Sequence, residues 1–139
     1  MSYTLTDSPT QQLSHFMHEL TFDDIPPKVR EHIKYCTLDT IGCGLIGQLT
    51  GEGKVLREYA RVFANPALAT VWGDSVKTTP QEAAMINATL VESYTMDDLH
   101  NGSIMHGGAV TVPPALAVSE MLRGVSGKQL LTAIVAGYE

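Results

Sequence analysis

The chain has 139 residues, 44% of them hydrophobic and 17% charged, with a formal net charge of -6. That length suits one domain with its own core, and that composition is globular rather than disordered. With no basic run, the charge argues against a nucleic-acid partner or an anionic membrane surface, both of which need clustered Lys and Arg.

In chain order, the pattern reads helical nearly throughout. Ser8-Pro9-Thr10-Gln11 is a capping box with proline at the first helical position. Leu13, Phe16, Met17 and Leu20 follow at helical spacing. Asp24-Ile25-Pro26-Pro27 breaks that helix and starts a second, whose apolar side is Val29, Ile33, Cys36, Thr40 and Ile41. Cys36 and Cys43 lie about two turns apart on it, too far to bridge. They read as reduced thiols of a cytoplasmic protein. Gly42, Gly44 and Gly47 weaken this helix in isolation and fit either a close approach to a neighbour or a frayed end.

A third helix is expected over Lys54 to Ala64, with Val55, Leu56, Tyr59 and Phe63 inward and Asn65-Pro66 as its stop. Ala67 to Trp72 is a short extended piece that ends at the turn signal Gly73-Asp74. Thr79-Pro80-Gln81-Glu82 is a second capping box. Ala83, Ile86, Asn87, Leu90 and Tyr94 share one side of the helix it opens. Pro113-Pro114 is expected to begin another helix, with Leu116, Val118, Met121 and Leu122 and a stop at Gly124. Ser126-Gly127-Lys128-Gln129 is a third capping box, followed by Leu130, Leu131, Ile134 and Val135. This pattern still runs near Glu139, as expected of a fragment. The fold class is therefore all-α, about six packed helices with one short extended segment. No apolar run reaches the length of a membrane span, and the N-terminus lacks a signal-peptide pattern.

Between the fourth and fifth helical patterns lies MDDLHNGSIMHGGAV, Met96 to Val110. It holds the adjacent carboxylates Asp97 and Asp98, the histidines His100 and His106, and three glycines, Gly102, Gly107 and Gly108. Histidine exchanges protons near neutral pH, and a nearby carboxylate orients it. Glycines permit tight turns and close approach to a ligand. The segment reads equally as a wet surface loop, with the aspartates capping a helix or facing water. No strong metal signature matches the Asp98-x-His100 and His100-to-His106 spacings, so no metal is expected. His15, His18 and His32 sit in ordinary helical patterns and read as surface or core histidines.

The run AAMINATLVESYTMDDLHNGSIMHGGAVTVPPALAVSEMLRGVSGKQLLTAIVAGYE resembles the N-terminal helical domain of the MmgE/PrpD family. That family includes 2-methylcitrate dehydratase, cis-aconitate decarboxylase and iminodisuccinate epimerase. Its members show Asn-Gly, then Asp-Phe-Asp-Asp-Thr-His, then His-Pro-Ser, a proline-led alanine-rich helix, Ser-Gly and a Gly-Tyr-Glu ending. Upstream, Leu38-Asp39-Thr40-Ile41-Gly42 resembles the family's Leu-Asp-Thr-Leu-Gly helix, and Ala69-Thr70-Val71-Trp72-Gly73 its Ala-Thr-Val-x-Gly strand. The likeness covers nearly the whole chain in order.

The resemblance implies a lyase or isomerase that moves a proton beside a carboxylate of a small di- or tricarboxylic acid, without cofactor or metal. It places His106 as the first candidate proton donor or acceptor, Asp97 or Asp98 as its orienting group, and His100 beside them. Ser103, Gly107 and Gly108 are expected to contact the substrate. Four positions depart from the family pattern: Thr95 stands for its first Asp, Leu99 for its Thr, Gly107-Gly108 for its Pro-Ser and Asn87-Ala88 for its Asn-Gly. Family members are several times longer. The chain is therefore expected to be an incomplete part of such an enzyme, inactive alone, and either a homodimer or associated with the missing part. The other reading of the same sequence is a non-catalytic helical module, or a subunit of a split enzyme, that pairs with another polypeptide.

Overall fold

The computed structural model describes residues 8–62, 64 and 66–139. Among these residues there are six α-helices, a 3₁₀ turn at Phe22–Asp24 and one two-stranded antiparallel sheet. The helices are α1 (Pro9–Glu19), α2 (Pro27–Gly47), α3 (Gly51–Val62), α4 (Pro80–Glu92), α5 (Gly107–Leu122) and α6 (Gly127–Tyr138), and the strands are β1 (Ala69–Thr70) and β2 (Lys77–Thr78). No helix is long and apolar enough to cross a membrane among the described residues.

The three cap signals act where the sequence places them. Ser8 Oγ accepts from Gln11 N, Thr79 Oγ1 from Glu82 N, and Ser126 Oγ from Gln129 N. At Ser126 the box is reciprocal, because Gln129 Oε1 accepts from Ser126 N at 2.9 Å. Each such cap satisfies an amide that a helix start leaves orphaned. Between α1 and α2, Arg30 donates to the carbonyls of Ile25 and Asp23 and fixes the turn before Pro27.

α4 is the central element and packs on both α2 and α5, while α5 packs in turn on α6. Ala83, Ile86, Asn87 and Leu90 are buried along α4, as its pattern requires, but Tyr94 lies past the helix end and is exposed. One core cluster joins Ala60, Val71, Ile86 and Leu90, and another joins Ile25, Ile33, Val112, Ile134 and Val135. Burying each large aliphatic side chain contributes about 1.5–3 kcal/mol.

Small residues set the α2–α4 distance. A Cβ on Gly47 would overlap the carbonyl of Leu90, and one on Gly44 would lie 2.6 Å from the Trp72 ring. Close approach, not fraying, is thus the role of these two glycines. Gly42 has open space around its Cβ position.

The extended piece is shorter than expected, and it has a partner strand that the sequence pattern did not reveal. Ala69 pairs with Thr78 and Thr70 with Lys77 around the turn at Gly73, whose φ is +74°. Two helices grip β1 from either side. Buried Asn87 of α4 accepts from Trp72 N and donates to Thr70 O, both at 2.9 Å. Glu120 of α5 accepts from Thr70 N at 3.1 Å and from Thr70 Oγ1 at 2.6 Å. Two-residue strands carry no hydrophobic period to read, and side chains distant in sequence hold them.

Other boundaries also differ from expectation. α1 buries none of its residues, so Leu13, Phe16 and Met17 are exposed, and Leu20 alone of its apolar set packs against a core cluster. α3 starts earlier than Lys54, where Thr50 Oγ1 accepts from Gly53 N. Val55 is exposed, and Ala60 takes the buried place on that helix. The inward role of Phe63 and the stop at Asn65 lie outside the described residues. α5 begins at Gly107 rather than at Pro113, with both prolines inside the helix. An interior proline costs about 3 kcal/mol. Here the first turns are buried at Gly107, Gly108, Ala109, Val112 and Pro113, and that packing holds the helix across them.

Gly47→Ala is expected to destabilise the chain by about 1–3 kcal/mol through overpacking. Gly42→Ala is expected to stabilise it by up to about 1 kcal/mol through helix propensity. Urea unfolding of both variants checks the pair, and equal effects of the same sign would refute the packing argument.

Candidate functional site

The segment from Met96 to His106 links the end of α4 to the start of α5. It turns back on itself through an antiparallel bridge between His100 and Met105. Ile104 inside that turn has a φ of +53°, as has Thr95 before the segment. Adjacent carboxylates leave this backbone toward different partners.

Asp98 faces the helices. Its Oδ1 accepts from Gly108 N at 2.8 Å, and its Oδ2 accepts from Tyr138 Oη at 2.9 Å. The carboxylate thereby caps the N-terminus of α5 from outside the helix, where the helix dipole favours a negative charge. Space is tight here. A Cβ on Gly108 would collide with Thr40 Oγ1 and come within 2.6 Å of Asp98 Oδ1, and one on Gly107 would meet the Tyr138 ring at 2.6 Å. The Gly108 amide is thus engaged by Asp98 and not free for a ligand. Burial, then the bond to Asp98, pushes the Tyr138 phenol far above its ordinary range. Burial also raises the thiols of Cys36 and Cys43, both free, with nearby Asp98 and Asp39 adding to the shift.

Asp97 faces His106 instead. Its side chain is fully buried, and its Oδ2 lies 3.0 Å from His106 Nδ1. An ionised carboxylate only accepts, so Nδ1 carries a proton, and in the neutral ring Nε2 keeps the lone pair. Glu92, the last residue of α4, adds a second carboxylate at 3.5 Å from the same nitrogen. The sequence reading passed over Glu92. The available signal was its place at the end of the helix that leads into the segment, but its distance from His106 depends on how the segment turns.

His100 holds the opposite tautomer. Ser103 N donates to its Nδ1 at 3.2 Å, and Ser103 Oγ lies 2.8 Å from the same atom. A backbone amide only donates, so Nδ1 accepts and the neutral ring carries its proton on Nε2. His100, Ser103, Asp98 and Gly107 line a cleft of about 300 Å³ with Met105, Tyr138 and Glu139. A neighbouring cleft of about 420 Å³ shares Asp98, His100, Tyr138 and Glu139 and adds an apolar wall that includes Val29, Ile33, Leu99 and Val135. Both volumes are in the range of small-molecule pockets. The fold thus gathers the candidates into two groups: Asp98, His100, Ser103 and Gly107 at the clefts, and Asp97 with His106 beside Glu92. Gly108 sits under Asp98. Among the described residues, no Lys or Arg lines either cleft.

Comparison with known proteins gives a consistent result. The sequence profile of the MmgE/PrpD N-terminal domain matches residues 11–139. Cis-aconitate decarboxylase of Aspergillus terreus is 30% identical over 134 residues, covering 94% of this chain and 27% of that protein. A cis-aconitate decarboxylase-like protein, oryM of Aspergillus oryzae, is 30% identical over 147 residues, covering 98% of this chain and 30% of the relative. The cis-aconitate decarboxylase of Homo sapiens is 29% identical over 136 residues, covering 95% and 28%. The chain therefore spans less than a third of the length of these relatives.

Tyr138→Phe is expected to cost about 1–2 kcal/mol at neutral pH, because it leaves Asp98 Oδ2 without its donor. Tyr138, Cys36 and Cys43 are all shifted upward from ordinary values of 10.0 and 9.0. Their contribution to stability is therefore full below about pH 9 and falls as the pH rises above it, where the unfolded chain sheds protons that the folded chain keeps. Urea unfolding across alkaline pH should show a shallower fall above pH 10 in Tyr138→Phe than in the parent chain.

Proposed function

We infer that this chain, which belongs to the MmgE/PrpD family, forms the N-terminal part of a lyase or isomerase that moves a proton beside a carboxylate of a small di- or tricarboxylic acid. The observation that carries this reading is the Asp97–His106 pair. A buried carboxylate fixes the ring and its tautomer, and the lone pair of Nε2 is then the group that exchanges a proton. Nε2 takes a proton from the carbon next to a substrate carboxylate, and the electron pair moves onto that carboxylate as an enediolate. In dehydration the enediolate then expels the neighbouring hydroxyl, which takes the imidazolium's proton and leaves as water; in decarboxylation the imidazolium gives its proton to the carbon that carbon dioxide has left. Dehydration, decarboxylation and epimerisation share this proton exchange.

The substrate's carboxylates need cationic partners and hydrogen-bond donors. His100 offers Nε2–H at the clefts. The Lys or Arg that the reaction requires comes, in this reading, from polypeptide beyond the matched domain. The position of Leu99 supports a shift in specificity. Where the family pattern has Thr, Leu99 lines the larger cleft with Val29, Ile33 and Val135. A hydroxyl donor is replaced by an apolar surface, which favours an acid carrying an aliphatic group over one with a polar group there.

A second reading, a helical module that pairs with another polypeptide, is favoured by the groove between α5 and α6. It has a volume of about 550 Å³ and is lined largely by apolar residues, including Pro114, Val118, Leu122 and Val125. Val110 at its rim is 58% exposed and Leu122 is 60% exposed, more than a settled core face shows.

NMR of the histidine rings tests the first reading. Adding cis-aconitate, citrate or 2-methylcitrate should shift the His106 signals saturably, and His106→Ala should abolish the effect while leaving His100 in place. Leu99→Thr should tighten binding of the more polar acids about tenfold, the scale of one recovered hydrogen bond. Shifts confined to His100, or unchanged by His106→Ala, would sink the assignment of His106.

A further inference from the structure

Glu92, Asp97 and His106 each present one donor atom, and the three atoms lie within 4.8 Å of one another. Nδ1 of His106 is 3.0 Å from Asp97 Oδ2 and 3.5 Å from Glu92 Oε1. An ion bonded to nitrogen and oxygen at about 2.0–2.1 Å in a tetrahedral array holds its ligand atoms roughly 3.4 Å apart. The two measured edges bracket that value.

An independent observation concerns Asp97. Its Oδ1 is buried and has no hydrogen-bond partner among the described residues. That oxygen shares a carbon with Oδ2, so it lies at the edge of the same cluster. Among the described residues, no Lys or Arg forms an ion pair with Glu92 or Asp97; His106 is the partner of both. A fully buried carboxylate next to a second carboxylate carries a large desolvation cost. A cation relieves it directly.

We propose that Glu92, Asp97 and His106 form a binding site for a divalent cation, with His106 Nδ1 and one oxygen from each carboxylate as protein ligands. One imidazole and two carboxylates suit an ion of the Zn²⁺ class, and solvent completes its shell. The ion takes the place of the Nδ1 proton, and the ring, neutral as a ligand, then carries its proton on Nε2, so the bound ion and the Nε2 base of the reaction proposed above exclude each other. The ion also ties the last residue of α4 to the residue that precedes α5. The site stands on this geometry and not on the reaction proposed above, and its readouts need no substrate.

The test uses the tag-free chain, stripped with a chelator and titrated with Zn²⁺ and then Co²⁺. Calorimetry should show saturable binding of one ion per chain. Bound Co²⁺ should shift the His106 ring signals far more than those of His15, His18, His32 or His100. Glu92→Gln removes one ligand charge at a partly exposed position that the core does not use. It should weaken Zn²⁺ binding at least about tenfold while the far-UV spectrum and unfolding midpoint stay near those of the parent. Binding unaffected by Glu92→Gln, Co²⁺ effects centred on another histidine, or no saturable binding below millimolar Zn²⁺ would overturn the proposal.

Discussion

The carboxylate of Asp98 ties the start of α5 to the end of α6, and the local architecture depends on that tie. One oxygen satisfies the Gly108 amide and the other the Tyr138 hydroxyl. The second residue of α5, Gly108, thus faces a charged acceptor, which a helix start needs and which His106, at the cap position, does not supply. Because the acceptor comes from the preceding loop, capping the helix also fixes the loop. His106 then stands between an anchored helix and an anchored carboxylate, and Asp97, one residue from the anchor, is held against it.

That arrangement works only where side chains are missing. Gly108 leaves room for the Asp98 carboxylate, the Thr40 hydroxyl and the Tyr138 hydroxyl to converge, and Gly107 leaves room for the Tyr138 ring. The same economy sets the α2–α4 contact, where Gly47 lies under the Leu90 carbonyl. Close packing of this kind restricts the relative motion of α2, α4, α5 and α6, because a shift of any one opens a void or forces an overlap. The loop between α4 and α5 is thus mounted on a rigid frame even though much of its own surface is exposed. Frames of this type suit a site whose groups must be held within a fraction of an ångström.

Polar side chains do the joining where apolar ones cannot. Asn87 and Glu120 take up the backbone of β1 on two sides, which lets a two-residue strand persist between helices. Asp97 is the contrasting case. It is buried, bonded to His106 through one oxygen and unpaired at the other. Most buried polar groups are satisfied, so an unsatisfied one beside a histidine marks a place where charge is handled.

Much of the fold is legible in the sequence. The caps at Ser8, Thr79 and Ser126, the proline break before α2 and the buried stripe of Ala83, Ile86, Asn87 and Leu90 follow from local chemistry and helical periodicity. The family pattern is local as well, and it singled out the Asp97 to His106 segment. The exposure of α1, the β1–β2 pairing and the passage of α5 through Pro113-Pro114 were not legible. Each depends on contacts between residues far apart in sequence, and in α5 those contacts outweigh a local preference. Adjacent in sequence, Asp97 and Asp98 are chemically identical, and no pattern tells them apart. Only the turn of the loop sends one to His106 and the other to Tyr138, because backbone direction at each residue is set by the packing of the helices on either side. By the same cause, Glu92 enters the site. The sequence determined which chemical groups are present and which helices carry them; the tertiary structure decided which of those groups meet, because their separation is fixed by long-range packing that no local window contains.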